Sequence, residues 1–261
     1  MLKFSANLSL LFTEYPLIQR FEQAKKHGFN AVEIQFPYEL SIETLKQVLN
    51  ENKLKLVLFN IAADDLMQGG EGLASVPEKQ ELFKTALQQT VEYAQVLKPV
   101  AINVLAGRCF NKTRYNEYLK TFKQNLLLAA ETFAPLEIKT VFEAINTDDM
   151  PEFIIHNTEQ QLAILKELNH PNLFIQHDIY HAVKMGENPA EFIKTHINKI
   201  AHIQFADCPE RGQPNTGTID FAELFKIIQE SNYKGWCGAE YKPIGHTEHS
   251  LKWFNLYGVQ T

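Results

Sequence analysis

Short apolar runs rich in β-branched and aromatic residues alternate along this chain with segments whose apolar positions recur at helical spacing. Each run is too short to be a helix and a plausible helix follows it, which predicts parallel strands joined by crossover helices. Eight such units in 261 residues suit a (β/α)₈ TIM barrel, whose usual length is about 250 residues. We therefore expect one domain over residues 1–261. The runs are KFSANLS, AVEIQFP, LKLVLFNIA, VAINVLAG, KTVFEAIN, LFIQHDIYH, KIAHIQFAD and WCGAEYKP.

Residues that commonly begin or end helices stand between the runs and support this division of the chain. In PLIQRFEQAKKHG, Leu17, Phe21 and Ala24 share one face, and Gly28 stands where a helix C-cap belongs. The long segments ELFKTALQQTVEYAQVL and NEYLKTFKQNLLLAAETF keep helical spacing and should pack around the barrel. The expected N-terminal signals are Ser41, Asn188 before Pro189, and the capping-box pairs Thr158 with Gln161 and Asp220 with Glu223.

The composition fits a globular protein with a large core, since 45% of the residues are hydrophobic and 21% are charged. The formal charge of −6 comes without the basic stripe that attracts phosphate backbones, so we expect no nucleic-acid partner. No apolar run approaches the roughly 20 residues of a membrane span, so we expect no membrane partner and a cytoplasmic location. The cysteines lack CxxC spacing and are expected to be buried free thiols: Cys109, Cys208 and Cys237.

One connection is long for a strand-to-helix loop: AADDLMQGGEGLASVP, after the third strand. Its glycines, Gly69, Gly70 and Gly72, have neither the spacing nor the following lysine of a nucleotide-binding loop, which disfavours a phosphate cradle. Active-site loops of this architecture follow the strands, so the segment is interpreted as a lid over the barrel mouth. A flexible excursion without function remains the alternative.

Oxygen-bearing side chains stand at or beside the ends of the last four strands: Glu143, Asp178, Gln204 and Glu240. The carboxyl ends of barrel strands open into one mouth, so residues far apart in sequence can converge there. Three carboxylates and one amide form a hard, anionic set of donors, which favours Mg²⁺ or Mn²⁺ over zinc. A single carboxylate at a strand end is more often a helix cap or a partner of a surface lysine, but four together indicate a metal site.

Short sequences around these positions form an ordered set: SANLSLLFTEYP, FPYEL, HDIYH, HIQFADCPERGQPNTG and GAEYKP. With them the chain resembles the hydroxypyruvate isomerase family of xylose-isomerase-like barrels over essentially its whole length. The segments LFNIAADD and VLAG are more similar to the 2-oxo-tetronate isomerase branch, whereas FEAIN and the ending WFNLYG are more similar to the hydroxypyruvate branch. The resemblance therefore leaves the branch open.

The resemblance implies that Glu143, Asp178, Gln204 and Glu240 bind a divalent metal, with Glu143 and Glu240 also acting as proton donor and acceptor. Relatives often carry EPIN where this chain has Ala144 after the glutamate, which puts substrate choice in doubt rather than the chemistry. The implied reaction is an aldose-ketose type isomerisation through an enediolate, with the cation as Lewis acid and no organic cofactor. Hydroxypyruvate would give tartronate semialdehyde, and a 2-oxo-tetronate would give its 3-oxo isomer.

Both candidate substrates carry a carboxylate, so a cationic clamp is expected near the metal. Arg211, in the loop after strand seven, is the first choice, because its planar fork can grip a carboxylate bidentately. Lys242 and Arg108 are weaker candidates, and each of the three can instead be an ordinary solvated cation. His181 can hydrogen-bond a substrate oxygen or serve as a structural histidine. His177, His202, Asn7, Asn60 and Glu33 are assigned to the core or the pocket wall without a ranked role.

Other activities stay open at this point. Zinc-dependent endonucleases of the same barrel family need more metal-binding histidines and a basic surface, which this acidic chain lacks. A sugar 3-epimerase would share the metal and paired glutamates but usually has a histidine where Gln204 stands. A barrel that binds a sugar acid without turnover is the non-enzyme alternative. A homo-oligomer is possible, sealed by aromatic residues near the C-terminus, although these can equally pack on the last helix: Trp253, Phe254 and Tyr257.

Overall fold

The chain folds into a closed barrel of parallel strands in a computed structural model that describes residues 2–257. Each strand pairs with the next along the chain, and the eighth pairs with the first. The predicted (β/α)₈ architecture is therefore confirmed. The strands are β1 (Phe4–Asn7), β2 (Ala31–Glu33), β3 (Lys55–Asn60), β4 (Ala101–Asn103), β5 (Lys139–Glu143), β6 (Leu173–Asp178), β7 (Ile200–Phe205) and β8 (Trp236–Ala239).

Helices follow the strands and surround the barrel. One short helix was not predicted: α6 begins directly after strand β6, ahead of the expected helix at Pro189. The helices are α1 (Leu17–Lys26), α2 (Ile42–Glu51), α3 (Gln80–Leu97), α4 (Tyr115–Phe133), α5 (Thr158–Leu168), α6 (Ile179–Lys184), α7 (Pro189–His196), α8 (Phe221–Glu230), α9 (Thr247–Ser250) and α10 (Lys252–Tyr257).

Most of the expected helix ends are confirmed. The side chains of Ser41, Asn188 and Asp220 each accept a hydrogen bond from a backbone N–H group in the first turn of the helix that follows. Gly28 adopts a φ of +94° two residues after α1 ends, a conformation that favours glycine. Local polar residues therefore fix these helix boundaries.

The capping box of Thr158 with Gln161 is wrong. Asn157 is the N-cap of α5, and its side chain accepts from the backbone N–H of Gln160 at 2.9 Å. The Thr158 hydroxyl instead donates to the Glu187 carboxylate at 2.7 Å. Gln161 turns inward and donates to the backbone carbonyl of Phe142. Asn157 caps the helix in place of Thr158 because asparagine is at least as good an N-cap as threonine and stands one residue earlier.

Small and medium apolar residues fill the barrel interior below the mouth. Ala31, Leu58, Ala101 and Val141 belong to this inner cluster and are buried. Because side chains alternate along a strand, the residue two positions further on faces the same interior. Those residues are Glu33, Asn60, Asn103 and Glu143, all buried polar groups. The apolar interior of the barrel is therefore covered, on the side of the mouth, by a layer of buried polar residues.

Aromatic residues near the C-terminus pack against the barrel. Trp253 is only 1% exposed, and its ring lies edge-on to Phe4 and Phe205 at 5.3 and 5.1 Å. Phe254 stacks on Phe29 with ring centroids 4.4 Å apart. These residues lie in the last helix itself and pack inward on the barrel, rather than on that helix from outside as the alternative had it; the oligomer remains a prediction.

The cysteines of the chain agree with one further expectation. Cys109, Cys208 and Cys237 are free and buried, which confirms the predicted thiols. Between residues 2 and 257, no helix has the length and apolar character needed to cross a membrane.

Candidate active site

A cavity of about 380 Å³ opens at the carboxyl ends of the strands. Its wall includes Glu143, Gln204, Arg211 and Glu240, which come from the fifth, seventh and eighth strand-helix units. Three of the four predicted strand-end residues, Glu143, Gln204 and Glu240, therefore meet in this cavity, whereas Asp178 lies close to Glu143 but is not part of the lining. Polar residues at or just after the ends of earlier strands also line the cavity: Asn7, Glu33, Gln35 and Asn60.

The two carboxylate oxygens of Asp178 differ in their hydrogen bonding. Its Oδ1 accepts from the backbone N–H groups of Tyr180 and His181 at 2.7 and 3.3 Å, which starts α6. Its Oδ2 is buried and accepts no hydrogen bond. Oxygens of Glu143 and Asp178 and a ring nitrogen of His181 lie within 4.8 Å of one another, and the two carboxylates are close enough to hold a single cation. This free buried oxygen is the strongest structural sign of a metal site.

The carboxyl groups of the site resist ionisation without a cation. Burial raises the pKa of Glu143 well above its usual value, and the nearby Glu240 and Asp178 raise it further. Burial likewise raises the pKa of Asp178 to about 7 and that of Glu240 above its usual value, against the lowering effect of Arg211. A divalent cation would relieve this repulsion.

Glu240 follows β8 and is held by three hydrogen bonds. Arg211 Nη2 donates to its Oε2 at 2.6 Å, while Asn7 Nδ2 and Gln35 Nε2 donate to its Oε1 at 2.8 and 3.0 Å. Arg211 Nη2 also lies 3.9 Å from Asp178 Oδ2. The guanidinium group therefore lies between the carboxylates of Glu240 and Asp178.

Gln204 lies in the cavity wall with both ends of its amide engaged. Its Nε2 donates to Glu33 Oε1 at 2.7 Å, and its Oε1 accepts from Gln176 Nε2 at 2.5 Å. A carbonyl oxygen has two lone pairs, so the bond from Gln176 leaves one for a cation. Glu33 had no ranked role in the sequence-based prediction and Gln176 was not among the predicted residues, although Gln176 stands two residues before Asp178 on the same face of β6.

His181 is buried beside the carboxylates, with Nε2 3.8 Å from Glu143 Oε1 and 3.7 Å from Asp178 Oδ2. Burial, helped by Arg211, holds the pKa of this imidazole well below its usual value. Asn146 fixes the ring: its Oδ1 accepts from backbone N–H groups, so its Nδ2 donates to His181 Nδ1 at 2.6 Å. The hydrogen bonds around the ring therefore assign the proton of neutral His181 to Nε2, which makes this nitrogen a hydrogen-bond donor toward the cavity.

The expected cations lie in different places. Arg211 has a φ of +57°, and its guanidinium carbon lies 5.2 Å from the Tyr180 ring centroid. Lys242 is exposed and lines the cavity, and its backbone N–H donates to the Arg211 carbonyl. Arg108 points elsewhere, since its Nη1 donates to the Gly69 carbonyl at 3.1 Å. Two of the three candidates therefore lie beside the cavity.

The long loop after β3 is tied to the protein. Glu71 accepts from the Tyr118 hydroxyl at 2.9 Å and from the Phe110 backbone N–H, and Arg108 donates to Gly69. Met67 is half exposed and lines the cavity. The loop thus contributes to the cavity wall, and its movement as a lid stays a prediction.

Comparison with known proteins places the barrel in a family. A family model described as xylose isomerase-like TIM barrel matches residues 21–257. The chain belongs to this family. The relatives of the barrel include a hydroxypyruvate isomerase from Escherichia coli K12, which is 40% identical over 98% of this chain and 100% of its own. A 2-oxo-tetronate isomerase from Pectobacterium atrosepticum is 36% identical over 96% of each chain.

Among solved structures, one from Brucella melitensis is described as an AP endonuclease of family 2. It superposes with a TM-score of 0.95 at 32% identity, over 98% of this chain and 99% of that one. The named isomerases are similar over nearly their full lengths. The resemblance expected from the sequence is confirmed, and this chain is an isomerase.

Proposed function

We propose that this protein is a metal-dependent isomerase of a small oxo-hydroxy acid, converting hydroxypyruvate to tartronate semialdehyde. The observation that carries the proposal is the buried, unpaired Oδ2 of Asp178, grouped with Glu143 and His181 and facing the Arg211–Glu240 pair. The alternative substrate is a 2-oxo-tetronate, since relatives of that name are nearly as similar. A ketose 3-epimerase or a sugar-acid-binding barrel without turnover are further alternatives.

The residues present fit a divalent cation. Glu143 and Asp178 would hold it from neighbouring strand ends, with Gln204 and Glu240 completing an oxygen-rich set that suits Mg²⁺ or Mn²⁺. Glu240 would have to share its carboxylate with Arg211, which binds one of its oxygens. When bound, the cation would act as a Lewis acid on the substrate oxygens and lower the barrier to the enediolate.

The paired glutamates would move the proton. In hydroxypyruvate, one carboxylate removes a proton from C3, and the resulting enediolate receives a proton at C2 from the other. The hydroxyl proton on the C3 oxygen passes to the C2 oxygen, so C3 becomes an aldehyde and C2 a secondary alcohol. Glu143 and Glu240 are assigned this work because both carboxyl groups are buried in the wall of the cavity.

Other residues would orient the substrate. The His181 Nε2–H group points at the cavity and can donate to a substrate oxygen. Arg211 is the proposed carboxylate clamp, assisted at the rim by Lys242. Arg108 would act at most through the loop it holds, since it donates to Gly69. We also propose a cytoplasmic location, which the buried free thiols support.

Proton NMR in D₂O tests the proposal. Wild type, Glu143→Gln and the surface control Glu131→Gln would each receive hydroxypyruvate or 2-oxo-tetronate, with Mg²⁺, Mn²⁺ or EDTA. We expect metal-dependent isomerisation and deuterium uptake with one substrate, a loss of about 10²- to 10⁴-fold in Glu143→Gln and no loss in the control. Turnover in EDTA equal to that with metal would refute the metal requirement.

The same proteins, given other substrates, distinguish the alternative functions. Deuterium uptake by a ketose without hydroxypyruvate turnover would indicate an epimerase, and metal binding without exchange would indicate a binding barrel. Cleavage of DNA at abasic sites would indicate a nuclease, the description given to the Brucella structure. We expect no cleavage, because a chain of net charge −6 with carboxylates around its cavity repels phosphate backbones.

A further inference from the structure

Glu33 is a buried carboxylate that the proposed reaction leaves without a role. It ends β2, is fully buried, and its Oε1 and Oε2 accept four hydrogen bonds from side chains. Burial raises its pKa, but His202 and the amide donors outweigh burial and hold that pKa below its usual value. The donors are His202 Nε2 at 2.7 Å, Gln204 Nε2 at 2.7 Å, Asn7 Nδ2 at 3.1 Å and Ser5 Oγ at 3.2 Å.

Strand β8, which is separated from β2 by β1, leaves room for this carboxylate. Gly238 lies in β8, and a Cβ atom there would be 2.4 Å from Glu33 Oε2, far closer than real contacts allow. No left-handed backbone conformation requires glycine at this position. Glycine at position 238 is therefore explained by the space that the Glu33 carboxylate occupies. Any larger side chain there would collide with this carboxylate.

Glu33 fixes the orientation of the Gln204 amide. Because Gln204 Nε2 donates to Glu33, the carbonyl oxygen lies at the opposite end of the amide, where Gln176 binds it. The same carboxylate takes a bond from Asn7 Nδ2, which also donates to Glu240 Oε1. One buried anion thus orients an amide at the proposed metal position and a donor to a proposed proton-transfer residue.

We propose that Glu33 is a positioning residue of the isomerase site, which keeps the Gln204 carbonyl oxygen available to the cation and the Asn7 N–H group on Glu240. This inference rests on the proposed function. It predicts that Glu33 affects metal affinity without touching metal or substrate. Partners that orient metal ligands typically contribute about 10- to 100-fold in affinity or activity.

Glu33→Gln is the direct test. An amide at position 33 cannot accept from all four donors, and its N–H₂ group would turn the Gln204 amide over. Isothermal titration of metal-free protein with Mn²⁺ should show binding about 10- to 100-fold weaker than in wild type. The control Glu39→Gln changes an exposed glutamate in the loop after the same strand and should bind Mn²⁺ as wild type does.

A second substitution separates orientation from general damage. A carboxylate offers oxygen at either end, so Gln204→Glu combined with Glu33→Gln should bind Mn²⁺ at least tenfold more tightly than Glu33→Gln alone. If the role of Glu33 were purely structural, the losses of Mn²⁺ affinity caused by the two single substitutions would add in the double variant, or the double variant would lose more than their sum. Additive losses in the double variant would overturn the proposal, as would Mn²⁺ affinity in Glu33→Gln within twofold of wild type.

Gly238→Ala provides a test that keeps every charge if Glu33→Gln fails to fold. Its methyl group would displace the Glu33 carboxylate, so Mn²⁺ binding should weaken while the melting temperature shows a folded protein. Unchanged Mn²⁺ affinity in folded Gly238→Ala would refute the inference. The proposed function fails on a different result, namely that wild type isomerises neither acid. The Glu33 inference fails if wild type is active and both Glu33→Gln and Gly238→Ala equal wild type in Mn²⁺ affinity and kcat/KM.

Discussion

Replacing Arg211 by methionine tests the electrostatics of the cavity. The guanidinium binds Glu240 Oε2 at 2.6 Å and lies 3.9 Å from Asp178 Oδ2, while the side chains of both carboxylates are at most 5% exposed. Removing one partner of a buried ion pair leaves an uncompensated charge and costs about 3–5 kcal/mol. The Arg211 side chain is 17% exposed, so we expect the lower end, about 3 kcal/mol of unfolding free energy.

Metal should reverse part of this loss, because a cation can replace the missing positive charge. Urea denaturation of wild type and Arg211→Met in EDTA and in saturating Mn²⁺ measures the effect. We expect Mn²⁺ to stabilise the variant more than wild type by at least about 1.4 kcal/mol, equivalent to tenfold tighter binding. Arg114→Met, which removes surface ion pairs with Glu78 and Glu117, is the control and should change little in either condition.

Two results would refute this reasoning. An Arg211→Met protein as stable as wild type in EDTA would show that the buried carboxylates need no cationic partner. Equal stabilisation of wild type and variant by Mn²⁺ would show that guanidinium and metal do not act on the same charges.

Three further predictions concern the surroundings of the site. Asp207→Asn should cost about 1–3 kcal/mol and raise KM, because Asp207 accepts four backbone N–H bonds in the loop that carries the clamp; thermal melts and kinetics check both. Arg108→Met should speed amide hydrogen exchange in residues 64–72, measured by mass spectrometry, because it frees the Gly69 carbonyl; unchanged exchange would contradict it. Hydrogen bonds from Thr247 outweigh burial and hold the Glu14 pKa below its usual value, so that stabilisation exists above the unfolded pKa near 4.3 and is lost in acid. Melting temperatures from pH 5 to about 3 should therefore fall less steeply in Glu14→Gln than in wild type.

The positions of the main site residues could be predicted from the sequence because a barrel brings its strand ends together. Glu143 and Asp178 end their strands, and Arg211, chosen from the loop after β7, reaches Glu240. The two strand-end residues needed only the division of the chain into strands, whereas Arg211 also needed the substrate carboxylate that the family resemblance implies. Arg108 occupies the expected loop, but a long side chain can point in several directions, and its hydrogen bond to Gly69 depends on the path of another loop.

Orientation within the site could not be predicted. The direction of the Gln204 amide depends on Glu33, 171 residues away along the chain. The free oxygen of Asp178 exists because α6 begins immediately after β6, and that six-residue helix is too short to show helical periodicity. Long-range partners and very short helices leave no local pattern in the sequence.

The two oxygens of Asp178 join the ligand geometry to the start of a helix. One oxygen holds the first turn of α6 and the other lies 3.7 Å from His181 Nε2, so the positions of the carboxylate and the histidine both depend on the start of this helix. A redesign of the metal preference by substitution at Asp178 would therefore also shift the histidine donor. The chemistry of this position can be changed only together with the helix that it begins, which limits how engineering or evolution can alter the site one residue at a time.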